Sequence, residues 1–91
     1  MSTPALDIYH TIGPFDRASV SEGLLREHSL KPGTWGRITV LSGSVGLAWD
    51  DDVDEAVELG EGDTLVIPPV RPHHLVPTGA FELTIDFLRE A

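Results

Sequence analysis

GEGDTLVIPPVRPHHLVP, residues 60–77, packs a turn, a strand, a proline-locked corner and two adjacent histidines into one short run. Gly60 and Gly62 suit a tight turn, because glycine enters positive φ without steric penalty. Residues 64–67, TLVI, are rich in β-branched side chains and read as a strand. Pro68, Pro69 and Pro72 lack the N–H that a sheet ladder needs, so regular pairing is expected to stop there. The corner then delivers His73 and His74, a residue type that titrates near neutral pH and binds metals through a ring nitrogen.

The same grammar of short strand and turn runs through the rest of the chain. Upstream, residues 24–30 read as a strand with Leu24, Arg26, His28 and Leu30 on one face. Two leucines framing an arginine and a histidine suit a pocket wall with a few polar groups. Lys31-Pro32-Gly33 is placed as a type II turn prefers. Residues 37–41 and 45–49 read as hairpin partners across Ser42-Gly43-Ser44, with Val45, Leu47 and Trp49 sharing a face. Residues 50–55, DDDVDE, form an acidic turn without the ligand order or central glycine of an EF-hand, so a solvated turn is expected. A short strand follows over 56–59. Residues 77–80 are a turn. Residues 81–88 alternate strictly, with Phe81, Leu83, Ile85 and Phe87 on one face and Glu82, Thr84, Asp86 and Leu88 on the other. At the other end, residues 1–19 carry no clear period. They read as an arm packing on the domain or on a dimer partner, with a turn at Gly13-Pro14. Many short strands with frequent turns and little helical periodicity predict an all-β sandwich or barrel, for which a jelly roll fits the strand count.

With 91 residues the chain makes one domain, 1–91. Its net charge of −9, from six Lys and Arg against fifteen acids, disfavours nucleic acid and anionic membrane surfaces as partners. No apolar run reaches membrane-spanning length, and residues 1–10 lack the basic and apolar regions of a secretory signal, so a cytoplasmic location is expected. The absence of cysteine excludes disulfides, thiolate ligands and thiol redox chemistry by this chain. A metal would have to be held by His, Asp, Glu, backbone oxygen or water.

The spacing of Gly62, Pro68 and His73 resembles the second motif of the cupin superfamily, with Val70 where that motif has a second glycine and Pro77 where it has an asparagine. The resemblance widens through Tyr9-His10-Thr11, Gly23-Leu24-Leu25, His28, Lys31, Gly33, Trp35-Gly36, Val40-Leu41 and Gly43, and ends at residues 85–88. Over most of the chain it is similar to the very small bacterial cupins described as tellurite-resistance-protein-like, a domain of unknown function. It implies a cupin-type jelly roll, a small double-stranded β-helix. It also implies a metal ligand at His73, with His28 singled out as a second. The first cupin motif, which supplies His-x-His and a Glu, has no counterpart between Gly33 and Gly43.

From these residues the candidate metal set is His28 and His73, with Asp86 and His74 as weaker members. Two histidines and a carboxylate with open positions suit non-haem iron or catalytic zinc, and zinc, iron or manganese are the metals considered. Alternation turns Asp86 away from the phenylalanine face unless a bulge re-aims it, and it turns His74 away from His73. Arg26 and Trp35 are the further pocket candidates. Arg26 serves either an oxyanion or a surface salt bridge to a nearby glutamate. Two functions stand open at this point. One is a cupin with a His-based metal site binding a small molecule or oxyanion, associated through the resemblance with tellurite or stress resistance. The other is a metal-free binding or sensor module. A homodimer is expected in either case, because so small a domain gains by burying a face.

Overall fold

A computed structural model describes the backbone of residues 5–91 and the side chains of residues 5–52 and 56–91. Six antiparallel strands account for most of the chain: β1 (Leu6–Asp16), β2 (Trp35–Trp49), β3 (Asp52–Gly60), β4 (Thr64–Ile67), β5 (His73–Val76) and β6 (Phe81–Glu90). One short helix, α1 (Glu22–Leu25), lies between β1 and β2. The all-β expectation is therefore met by a small two-layered barrel or sandwich.

β2 belongs to both layers. Its first half pairs with β6 on one side and β4 on the other, giving a layer ordered β1-β6-β2-β4. Its second half pairs with β5 and β3, giving a layer ordered β5-β2-β3. The expected hairpin at residues 42–44 is thus replaced by one bent strand. Each half finds its partners elsewhere in the chain rather than in the other half. The bend has a register cost that the sequence meets. Ile38 and Val40 point inward in the first half, whereas Val45, Leu47 and Trp49 do so in the second. Strand side chains alternate, so an even-numbered inward set can become an odd-numbered one only if a residue is inserted. The insertion is at Leu41: Val40 faces Leu83, Ser42 faces Glu82, and Leu41 is left over and exposed.

Gly43 makes the bend sterically feasible. Its φ is +69°, and it lies against the backbone of Ala80 and Phe81, where an added methyl would overlap the Ala80 carbonyl. The core collects Ile38, Val40, Val45, Leu47, Leu59, Leu75, Phe81, Leu83 and Ile85 from both layers.

Several boundaries differ from the sequence reading. Residues 24–30 do not form a strand. The chain turns through α1 and continues extended, with His28 as an isolated bridge residue. Leu24 and Leu25 both pack on the core from the helical turn, and strand alternation cannot place two neighbours so. The N-terminal arm is, from Leu6, an edge strand on β6 of the same chain. Gly13-Pro14 lies within that strand, at a register irregularity between Ile12 and Phe15. Residues 1–4 of the expected arm lie outside the described residues. β3 starts at Asp52, earlier than expected, so the acidic turn shrinks to its first residues; the side chains of 53–55 lie outside the description. The type II turn at Lys31-Pro32-Gly33 is present, with Gly33 at φ +84° and the Thr34 N–H donating to the Lys31 carbonyl at 3.1 Å.

Replacing Gly43 by alanine should cost at least about 2 kcal/mol, since the residue is both left-handed and in backbone contact. Urea unfolding of Gly43→Ala against the parent protein checks this, and an unchanged midpoint would contradict the account of the bend.

Candidate functional site

The prolines after β4 end its pairing with β2, and the chain crosses to the other layer, where β5 begins at His73 opposite Trp49. Three backbone hydrogen bonds hold that corner from outside. The Val70 N–H donates to the Leu30 carbonyl at 2.9 Å, and the His73 and His28 backbones exchange bonds of 2.9 and 3.0 Å. The segment between α1 and β2 is thereby laid antiparallel along the start of β5. Two histidines far apart in sequence become directly opposed bridge partners. Their rings meet edge to face with centroids 4.2 Å apart.

Both imidazoles border one cavity of about 190 Å³. Its remaining walls are hydrocarbon: Ile12 from β1, Leu24 and Leu30 from the crossing segment, Ile38 from β2, Ile67 from β4, Leu75 from β5, and Ile85 and Phe87 from β6. Gly36 contributes by lacking a side chain, since a methyl there would crowd Leu30. His73 is 3% exposed, with Trp49 edge-on behind it at 5.8 Å.

The hydrogen bonds fix the tautomer of each ring. His28 Nδ1 lies 2.8 Å from the Arg26 carbonyl, and His73 Nδ1 lies 2.8 Å from the Arg71 carbonyl. A carbonyl only accepts, so Nδ1 carries the proton, and in the neutral ring Nε2 holds a lone pair. Burial pushes the His73 pKa down from 6.5, assisted by the neighbouring His28, against the opposing pull of the Arg71 carbonyl. His73 is therefore a neutral acceptor at pH 7.

The other sequence candidates lie elsewhere. Asp86 is on the outer face of its layer, between Thr11 and Arg37 in register. It accepts from Thr11 Oγ1 at 2.7 Å and from Arg37 Nε and Nη2 at 3.1 and 2.9 Å. Ile85 and Phe87, its neighbours, take the cavity side, as alternation predicts, so Asp86 does not join the histidines. His74 points away from His73, and its Nδ1 donates to Asp50 Oδ2 at 2.9 Å. Arg26 caps the end of α1, largely exposed, and pairs with Glu22 one helical turn back. Trp35 sits at the start of β2 opposite Leu88 and is absent from the cavity wall. Among the described residues, no three His, Asp or Glu side chains gather as a metal site.

Sequence reading missed Arg71, whose guanidinium lies 3.9 Å from the Trp49 ring and whose Nε bonds both oxygens of Asp51 at 3.1 Å. Asp50 and Asp51 are thus structural partners of the histidine corner as well as solvated acids. The signal for Leu75 as a wall residue was present, because it lies two positions after His73 on the same strand face. Nothing local marked Ile12 or Ile67.

These features define a small all-β barrel with an apolar cavity bordered by a bridged histidine pair. Residues 11–85 match the profile of the TehB-like domain, and the chain belongs to the TehB-like family. It is similar in fold to TehB from Haemophilus influenzae, at TM-score 0.84 and 22% identity, covering 93% of this chain and 32% of that one. The chain thus spans about a third of TehB. A protein from E. coli strain K12 superimposes at TM-score 0.88 with 20% identity, covering 100% and 98% of the two chains. A conserved protein of unknown function from Streptococcus pyogenes does so at TM-score 0.57 with 24% identity, covering 100% and 68%. No curated protein sequence matches.

Val70, in the proline corner, has φ +69° and is exposed. A β-branched residue is strained there. Val70→Gly should therefore raise stability by about 0.5–1 kcal/mol after the extra chain entropy of glycine is subtracted. Equilibrium denaturation measures it, and a loss of stability would show that the corner tolerates valine without strain.

The lowered pKa of His73 has a definite sign. Below the ordinary value of 6.5 the unfolded chain takes up the proton before the folded chain does, so stability is complete above that pH and falls below it. In His73→Asn the amide can still donate to the Arg71 carbonyl, but it cannot titrate. The stability lost between about pH 7.5 and pH 5.5 should be smaller in the variant than in the parent, and equal losses would place the titration elsewhere.

Proposed function

We propose that this chain is a binding module that encloses a small molecule in its barrel, with the His28 and His73 imidazoles as the polar end of the site. The observation that carries the reading is their convergence. Two histidines from unconnected segments are bridged through their backbones and share one tautomer over a hydrocarbon cavity. Apolar walls with a few placed polar groups are the usual make-up of a small-ligand pocket. The association with tellurite resistance comes to this chain through its family. The homodimer belongs to the same reading. Its natural surface is the outer face of the β1-β6-β2-β4 layer, where Ile8 and Val66 are exposed and Trp35 is half-buried.

The metal-bearing cupin reading is the second. Two nitrogens with free lone pairs favour it. The donor set is short of what it needs, because catalytic zinc and non-haem iron are held by three protein ligands, and here Asp86 is committed to Arg37 and Thr11. A ligand that binds only the native state must stabilise it. Added zinc, iron(II) or manganese at tenfold excess should leave the melting temperature of untagged protein unchanged. Stoichiometric stabilisation that disappears in a His28→Asn, His73→Asn double variant would instead establish the metal site.

A further inference from the structure

The shape and polarity of the cavity are specific enough to name a ligand class, a step that rests on the binding-module reading. Size comes first. A cavity of about 150 Å³ lined by Leu, Ile and Phe is enough for benzene, and the cavity here is about 190 Å³. It holds one substituted ring or a branched aliphatic group of that bulk.

Polarity comes second. Each Nδ1 is spent on a backbone carbonyl, so in the neutral ring the proton is on Nδ1 and the lone pair on Nε2. No described residue supplies a donor to either Nε2. Yet among the described residues no buried side-chain nitrogen or oxygen is both unpartnered and sealed from solvent, so both Nε2 atoms border accessible space. The cavity therefore offers hydrocarbon and lone pairs, with no side-chain donor on its wall. An acceptor in such surroundings is costly to leave unmatched. An oxyanion would meet two lone pairs and would give up its hydration to apolar walls.

We propose that the cavity takes a small, neutral, largely apolar molecule carrying a hydroxyl or N–H donor, which bonds to the Nε2 of His73 or His28, and that free oxyanions are excluded.

Phenol, toluene and benzoate are matched probes for a titration at pH 7.5 followed by calorimetry. A parallel ¹⁵N spectrum of the histidine rings reports hydrogen bonding at Nε2 in the parent protein itself. Phenol should bind about five- to tenfold more tightly than toluene, the worth of one net hydrogen bond. It should shift a histidine Nε2 resonance that toluene leaves in place, and benzoate should bind more weakly than either. In His28→Phe, which keeps a planar aromatic ring but removes the nitrogens, phenol should keep its advantage if His73 is the acceptor and lose it if His28 is. Equal affinity for phenol and toluene, or tighter binding of benzoate, would overturn the donor assignment and leave the binding module standing. Failure of all three probes to bind at millimolar concentration would overturn the module itself.

Discussion

The fold depends on one strand serving two layers. β2 can do so because a single residue, Leu41, is left unpaired where the strand bends. That residue converts the inward set Ile38 and Val40 into the inward set Val45, Leu47 and Trp49. Without the shift, one half of the strand would present its polar face to the core. Gly43 follows the inserted residue, and its left-handed backbone lets the bend press against Ala80. Every other strand pairs with β2 or, in the case of β1, with a strand that does. The cavity is the space left between the two layers, where the separation exceeds what the isoleucine and leucine side chains fill.

The histidine pair depends on a second constraint, made by backbone rather than by side chains. Pro68, Pro69 and Pro72 remove the corner from the ladder, which leaves its remaining polar groups to be satisfied otherwise. The Leu30 carbonyl takes the Val70 N–H, the Asp50 N–H donates to the Pro72 carbonyl at 2.9 Å, and His28 and His73 satisfy each other. The imidazoles are brought together as a consequence of that accounting. Positioning them through the main chain leaves each ring free to spend Nδ1 on its own segment. The charges around the site are arranged in the same spirit. Asp50 engages His74, Asp51 engages Arg71, and Asp86 engages Arg37, so these acids are spent on the outside of the barrel. An apolar cavity with two imidazoles at one end is what remains inside a protein with fifteen acids.

Much of this was legible in the residues. Alternation over the last strand placed Ile85 and Phe87 inward and Asp86 outward, and the structure has them so. The Pro-Gly turn before β2 and the corner before His73 were read from conformational limits that belong to single residues. Arg26 as a surface partner of a nearby glutamate was also within reach, since the pair is local. The hairpin at residues 42–44 was not what formed. A turn signal says that the chain can bend, whereas the identity of each half's partner depends on strands supplied from far along the sequence. Residues 24–30 misled for a related reason: Leu24, His28 and Leu30 do reach the cavity, but through a helical turn and an extended crossing rather than through one regular strand.

The sequence by itself determined the all-β class, the Pro-Gly turn before β2, the proline corner before His73 and the inward face of most strands. These follow from dihedral limits and from a side-chain period of two, which are properties of neighbouring residues. Only the tertiary structure decided that β2 is shared between layers, that His28 meets His73 rather than Asp86, and that the space before them is hydrocarbon. Those outcomes depend on long-range pairing, where the free energy of burying a whole face outweighs any local preference, and no short window of residues contains it.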